Sequence, residues 1–235
     1  KHGSLPAILD ASSITGIRTA AVSGVATRAL ARPDAGDLAI LGSGVQALTH
    51  LDAVAVARPL RRVRVWSRSA ENAAKFAKAA AKRHPVAVEV MPTVEAAVTG
   101  ADIICTVTAA REPILERRWI AEGAHLNVVG ASQPGAREVD SDTVAASRVY
   151  ADRRESLLAE SGDFLIPKSE GRFGDEHLIG ELGEVLEGRV PGRTAPGEVT
   201  LFKSLGLAIE DVAAAHFVAQ RAVEEGVGAE LEIGG

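Results

Sequence analysis

The sequence is short of several things that define whole classes of protein. It has one cysteine, Cys105, which excludes an internal disulfide and suits a reducing compartment. Cys105 lies in the apolar run 103–107 and reads as a small buried hydrophobe. Positive charge is not in excess: 26 Lys and Arg stand against 31 Asp and Glu, for a formal net charge of −5. With no basic block, neither nucleic acid nor an anionic membrane is an expected partner. No apolar stretch approaches the ~20 residues of a membrane span. No signal peptide is visible, so a cytoplasmic location is expected. The six histidines (His2, His50, His84, His125, His177, His216) are not paired with cysteine or carboxylate at ligand spacing, which predicts no metal site. No serine is framed as a nucleophile elbow. The chain opens at Lys1 rather than at a methionine, and Leu5-Pro6-Ala7-Ile8-Leu9 already reads as a strand, so a further upstream segment is expected.

What is present is an alternation. The chain is 46% hydrophobic, and its 235 residues allow one large domain or two small ones. Strands are predicted near 38–41, 62–66, 86–90, 102–107, 125–129 and 148–151. Helices are predicted near 13–31, 45–58, 70–83, 93–99, 114–121 and 140–146. Strands apolar on both faces, separated by helices, imply a parallel sheet covered on both sides. Beyond residue 150 the pattern is less regular: a helix at 153–160, a polar loop at 167–176, a helix at 178–187, a turn at 190–197, a strand at 198–202 and a final helix to about 225.

The most informative stretch is Leu38-Ala39-Ile40-Leu41-Gly42-Ser43-Gly44-Val45-Gln46-Ala47. Each small residue has a mechanical reason. Gly42 turns the strand sharply, Gly44 lets a pyrophosphate approach the backbone, and Ala47 lets the following helix pack close to the strand. The helix N-terminus then offers free N–H groups to an anion. No P-loop lysine follows Gly42. The next strand, 62–66, ends in Ser67-Arg68-Ser69, with no acid before Glu71. An acid at that tip would accept from a ribose 2′-OH; an arginine among hydroxyls suits a 2′-phosphate, so NADP(H) is preferred over NAD(H).

Three further segments could carry chemistry. Arg18, among Ile14, Ile17 and Val22, could clamp a carboxylate or phosphate, although an arginine reaching to water is the plainer reading of its spacing. The turn 127–135 and the threonines Thr106 and Thr108 end neighbouring strands, where a doubly wound sheet binds its ligands. Glu160-Ser161-Gly162-Asp163 reads as a helix end with a glycine stop.

Taken together, several strings resemble the ornithine cyclodeaminase/mu-crystallin family, in particular its ketimine reductase branch. They are 17–23 (Ile-Arg-Thr-Ala-Ala-Val-Ser), 41–47, Thr106-Val107-Thr108, 112–115, 123–132, 160–163, 180–185 and 202–206 (Phe-Lys-Ser-Leu-Gly), in order along nearly the whole chain. The Trp66-x-Arg68 tip also matches that branch and its NADPH. The resemblance implies a Rossmann-type doubly wound parallel sheet, residues 34–203, inserted in a smaller α+β substrate and dimerisation domain. Residues 1–33 and 204–235 would be the part of that domain present, its N-terminal part lacking. It implies a homodimer and a small imine or amino-acid substrate.

By the same resemblance, Arg18 contacts the substrate carboxylate and the cofactor phosphate, and Leu205 walls the substrate. Thr19, Gly42, Gly44, Val45, Gln46, Ser67, Arg68, Thr108, Asn127, Val129 and Ser204 bind the cofactor. Ser132 stands where the ornithine-cyclising branch has an aspartate, and Ala136 where it has a lysine. Serine cannot take a proton from an amine at neutral pH as an aspartate can. The resemblance therefore implies an NADPH-dependent oxidoreductase that reduces a cyclic ketimine or imine carboxylate, with Ser132 or water as the proton donor. NADH is the alternative cofactor. Two rival readings are ornithine cyclodeaminase or alanine dehydrogenase chemistry with NAD, and a catalytically silent NADPH-binding protein.

Overall fold

The computed structural model describes residues 6–229. The described strands form one parallel sheet in the order β3-β2-β1-β4-β5-β8-β6-β7. They are β1 (Asp37–Leu41), β2 (Arg62–Trp66), β3 (Val88–Val90), β4 (Ile103–Thr106), β5 (His125–Val128), β6 (Ser147–Ala151), β7 (Leu178–Glu181) and β8 (Val199–Lys203). The helices are α1 (Ala11–Leu30), α2 (Val45–Ala57), α3 (Ala70–Ala80), α4 (Val94–Val98), α5 (Ser141–Ala145), α6 (Arg154–Glu160), α7 (Gly162–Ser169), α8 (Leu182–Leu186) and α9 (Ala208–Glu225).

Period-two alternation explains the layering. On β1, Leu38 and Ile40 join the core beneath α2 and α3, while Ala39 and Leu41 join the core beneath α4. All four are fully buried, as a strand covered by helices on both faces requires. The helices cap themselves: Asp10, Ser69, Thr93 and Asp140 each accept from the backbone N–H three residues on. Below β5 and β8, Ala26 and Leu30 of α1 pack on Tyr150 and Phe202.

The strand order positions the site. The chain runs outward from β1 through β2 to β3, then returns to place β4 on the other side of β1. A ligand crevice opens at the carboxyl ends where the order reverses. The register brings those ends level: Leu41 lies beside Trp66 and Thr106, Thr106 beside Val128, and Val128 beside Lys203.

Five expectations are corrected. The helix expected at 114–121 is only a short 3-10 turn, Arg117–Trp119, because Leu115 instead bridges Val139 in parallel. The helix expected at 178–187 is β7 followed by α8. The loop expected from 167 begins inside α7, which carries Pro167, and Gly162 opens that helix instead of stopping α6. Of the strand expected at 5–9, Leu5 lies outside the described residues; 6–9 form no strand and Ile8 is exposed. No described helix is long and apolar enough to cross a membrane.

Candidate cofactor and substrate crevice

The turn after β1 is built as the glycine spacing requires. Gly42 has φ 124°, and a Cβ there would lie 2.7 Å from the Val107 carbonyl oxygen. Its N–H donates to the Trp66 carbonyl at 2.8 Å, tying the turn to the tip of β2. Ala47 is fully buried where α2 meets the sheet. At the start of α2, Gly44 makes no side-chain capping bond and the first turn holds no acid. The Ala47 N–H turns back to the Gly44 carbonyl at 3.1 Å, and the N–H groups of Val45 and Gln46 are left for an anion. Space for one exists: a Cβ on Gly44 would meet nothing within 4 Å. Val45 is exposed, and the Gln46 Oε1 is buried with no partner among the described residues.

At the tip of β2, the Ser43 hydroxyl donates to the Ser67 hydroxyl at 2.8 Å, so the glycine turn and the ribose-reading tip touch. Arg68 is exposed and has no ion pair among the described residues. Glu71 is engaged by Lys75 on the helix surface. This residue set fits a dinucleotide: an open anion cradle at the helix N-terminus and a free guanidinium at the tip of β2.

The far half of the crevice is made by the tips of β4, β5 and β8. Thr108 and Val129 are half-buried and Ser132 is exposed. Ser204 is buried, and its N–H donates to the Val128 carbonyl at 3.0 Å. The N–H groups of Leu205 and Gly206 both donate to one oxygen of Asp152, at 2.5 and 2.6 Å, which fixes the turn carrying Leu205. Two residues depart from the expected pattern. Asn127 does not open onto the crevice: it is fully buried, and its amide donates to the Thr27 hydroxyl and the Cys105 sulfur. Thr106 is also fully buried, with its hydroxyl given to Glu138.

Arg18 reaches this end of the crevice. Its guanidinium lies against Gly206, beside Leu205, and Thr19 is buried behind it. It is already engaged: Nη1 contacts Glu210 at 3.1 Å and Nε contacts Asp211 at 3.0 Å, both on the first turn of α9. Burial raises the Glu210 carboxyl above its ordinary value, Asp152 adds to the rise, and Arg18 opposes it.

Sequence reasoning missed the buried charges under the crevice. Glu138 is fully buried and accepts from Thr106, Thr108 and Gly130. Asp163 pairs with Lys203 at 2.9 Å, both almost wholly buried. Burial, then the like charge of Asp163, raises the Glu138 carboxyl; Lys203 and the threonine hydroxyls oppose this. The sequence around it, Ala136-Arg137-Glu138-Val139, gave no indication of partners thirty residues away.

The pattern of the ornithine cyclodeaminase/mu-crystallin family matches residues 1–226. The chain belongs to that family. It is 44% identical over 217 residues to the ketimine reductase mu-crystallin of Mus musculus, covering 92% of this chain and 65% of that protein. The chain thus spans just under two thirds of the length of that relative. Identity to a Delta(1)-pyrroline-2-carboxylate reductase of Bacillus cereus is 38% over 227 residues, 96% of this chain and 70% of the relative. Among solved family structures, the Thermococcus litoralis Delta(1)-pyrroline-2-carboxylate reductase, in complex with NADH and L-proline, superposes with a TM-score of 0.91. It is 42% identical, with 94% of this chain and 68% of that chain covered. An archaeal alanine dehydrogenase dimer with bound NAD superposes at 0.88 with 31% identity, covering 95% and 68%.

Proposed function

We propose that this chain belongs to an NADPH-dependent reductase acting on the C=N bond of a cyclic imine carboxylate. The observation that carries the reaction class is Ser132. An exposed hydroxyl at this tip stays protonated at neutral pH, so it can hydrogen-bond to an imine nitrogen and relay to it a proton drawn from water, but it cannot take one from an amine. This favours reduction over cyclodeamination, and the reductases named above support it. A bound nicotinamide supplies the hydride. The protein's part is to hold two carbons in contact, which can provide much of the rate.

In this reading Gly42, Gly44, Val45 and Gln46 cradle the pyrophosphate, and Ser67 and Arg68 take the 2′-phosphate. Thr108, Val129 and Ser204 border the nicotinamide, with Asn127 supporting them from below. Arg18, with Thr19 behind it, binds carboxylate, and Leu205 walls the ring. Residues 34–203 form the cofactor-binding domain, flanked by 1–33 and 204–235 of the substrate domain. The exposed apolar residues of α9 (Ile209, Val212, Phe217, Val223) support a homodimer.

The test is NADPH oxidation with Δ1-pyrroline-2-carboxylate, together with calorimetric affinities for NADPH and NADH. NADPH binding tighter than NADH, reversed by Arg68→Glu, is the expected result. An Arg68→Glu chain with unchanged NADPH affinity refutes the assignment of the strand tip. One observation favours a second reading, an NADPH-binding protein without turnover: Glu210 and Asp211 already fill the Arg18 clamp. Cofactor binding without imine reduction would establish that reading.

A further inference from the structure

Glu138 is a fully buried acid whose carboxyl accepts four hydrogen bonds, all from the far half of the crevice. We propose that Glu138 is a positioning residue, which joins the tips of β4 and β5 and presets the Thr108–Gly130 edge for the nicotinamide end of a dinucleotide. The inference rests on the cofactor reading above.

The geometry is two-sided. Oε1 accepts from the Thr108 N–H and the Thr108 hydroxyl, both at 2.7 Å. Oε2 accepts from the Thr106 hydroxyl at 2.7 Å and from the Gly130 N–H at 2.6 Å. Three donors thus come from the end of β4 and one from the end of β5. The two tips are drawn together so closely that a Cβ on Gly130 would collide with the Thr108 carbonyl and the Glu138 carboxyl.

The carboxylate is itself held. The N–H groups of Glu138 and Val139 donate to Asp163 Oδ1 at 2.7 and 3.2 Å. Asp163 Oδ2 accepts from Lys203 Nζ at 2.9 Å, and Nζ also donates to the Ala131 carbonyl at 2.5 Å. Ala131 precedes Ser132, so the same brace fixes the start of the turn that carries the proposed donor.

A carboxylate is the group this arrangement needs. Four donors converge on two oxygens, and a glutamine would turn an NH2 toward two of them. The brace ties strand ends rather than strand middles. It does so on the β4–β5 side of the order reversal, the half opposite the ribose-reading tip of β2.

The test is Glu138→Gln in the whole chain, with calorimetric affinities for NADPH and for 2′,5′-ADP, a probe that carries the adenosine half alone. The expected result is a loss of NADPH affinity of about tenfold, with 2′,5′-ADP affinity held within about twofold. Unchanged NADPH affinity overturns the proposal, and so does an equal loss for both ligands, because general loosening would weaken both. If Glu138→Gln does not fold, Thr106→Val decides. It removes one neutral donor and should weaken NADPH by about threefold while sparing the fragment; affinities equal to wild type overturn the proposal. A wild-type chain that binds neither ligand overturns the cofactor reading and this role with it. Wild-type binding alongside an unaffected variant overturns the role of Glu138 alone.

Discussion

Acid should unfasten α1 from α2 through one histidine. His50 is fully buried on α2, with Nδ1 2.7 Å from the Gln46 carbonyl and Nε2 2.9 Å from the Ser23 hydroxyl of α1. A carbonyl can only accept, so Nδ1 carries the proton and Nε2 accepts from Ser23, which is the neutral imidazole. Burial holds its pKa down at about 4, against 6.5 for the free side chain, and the Gln46 carbonyl only partly opposes this. The folded-state value is depressed, so the contribution is intact above pH 6.5 and is lost as pH falls toward 4. In that window the unfolded chain takes up a proton that the folded one refuses. At one pKa unit per ~1.4 kcal/mol, the loss reaches about 2 kcal/mol near pH 5 and about 3 kcal/mol in full. That is a large part of a typical margin of about 5–15 kcal/mol. The assay is urea unfolding of wild type and His50→Gln at about pH 7.5 and about pH 5. Near neutrality the variant should be less stable by about 1–2 kcal/mol, from the altered hydrogen bonds. The gap should close or reverse near pH 5, because the variant cannot lose what it does not have. A gap that is constant across this range refutes the argument. Comparing the two proteins at each pH isolates His50 from the buried acids, whose raised values act in the opposite direction.

Two further outcomes follow from the buried groups. Asp163→Asn leaves Lys203 as an unpaired buried cation, with only the Ala131 carbonyl for a partner; urea unfolding should show a loss of about 3–5 kcal/mol, and a loss under about 1 kcal/mol would contradict the pairing. Burial pushes the Cys105 thiol up to about 12, so a thiol reagent at neutral pH should leave it unlabelled in the folded protein and label it in urea; rapid native labelling would contradict its burial.

The first half of the fold was legible because its signals are local. β1, β2, α2 and α3 each carry their own period, and the glycine turn carries its own mechanics. The errors fall where long-range pairing overrides the local period. Leu115 sits in a helical pattern, yet its N–H and that of Ile114 donate to the Glu138 carbonyl, and the Leu115 carbonyl accepts from Asp140. Leu178 and Ile179 keep helical spacing with Leu182, yet 178–181 pair with β6, and the helix starts only afterwards. At the site, Gly42, Gly44, Ser67 and Arg68 were readable because one loop and one strand tip place them. Glu138, Asp163 and Lys203 were not, because their burial arises where three strand ends converge from distant parts of the chain. Asn127 was placed by a string match that says nothing of which face of the strand it occupies.

The position of β8 has a consequence for synthesis. The last of the described strands lies between β5 and β6, pairing Leu126 on one side and Val149 on the other with Leu201. Until residues 199–203 leave the ribosome, the sheet consists of two separate rafts, β3-β2-β1-β4-β5 and β6-β7, each with a bare edge. Bare parallel edges invite foreign strands. Five residues close both at once, so β8 is the keystone of the sheet, and the nascent chain is most in need of a chaperone just before its arrival.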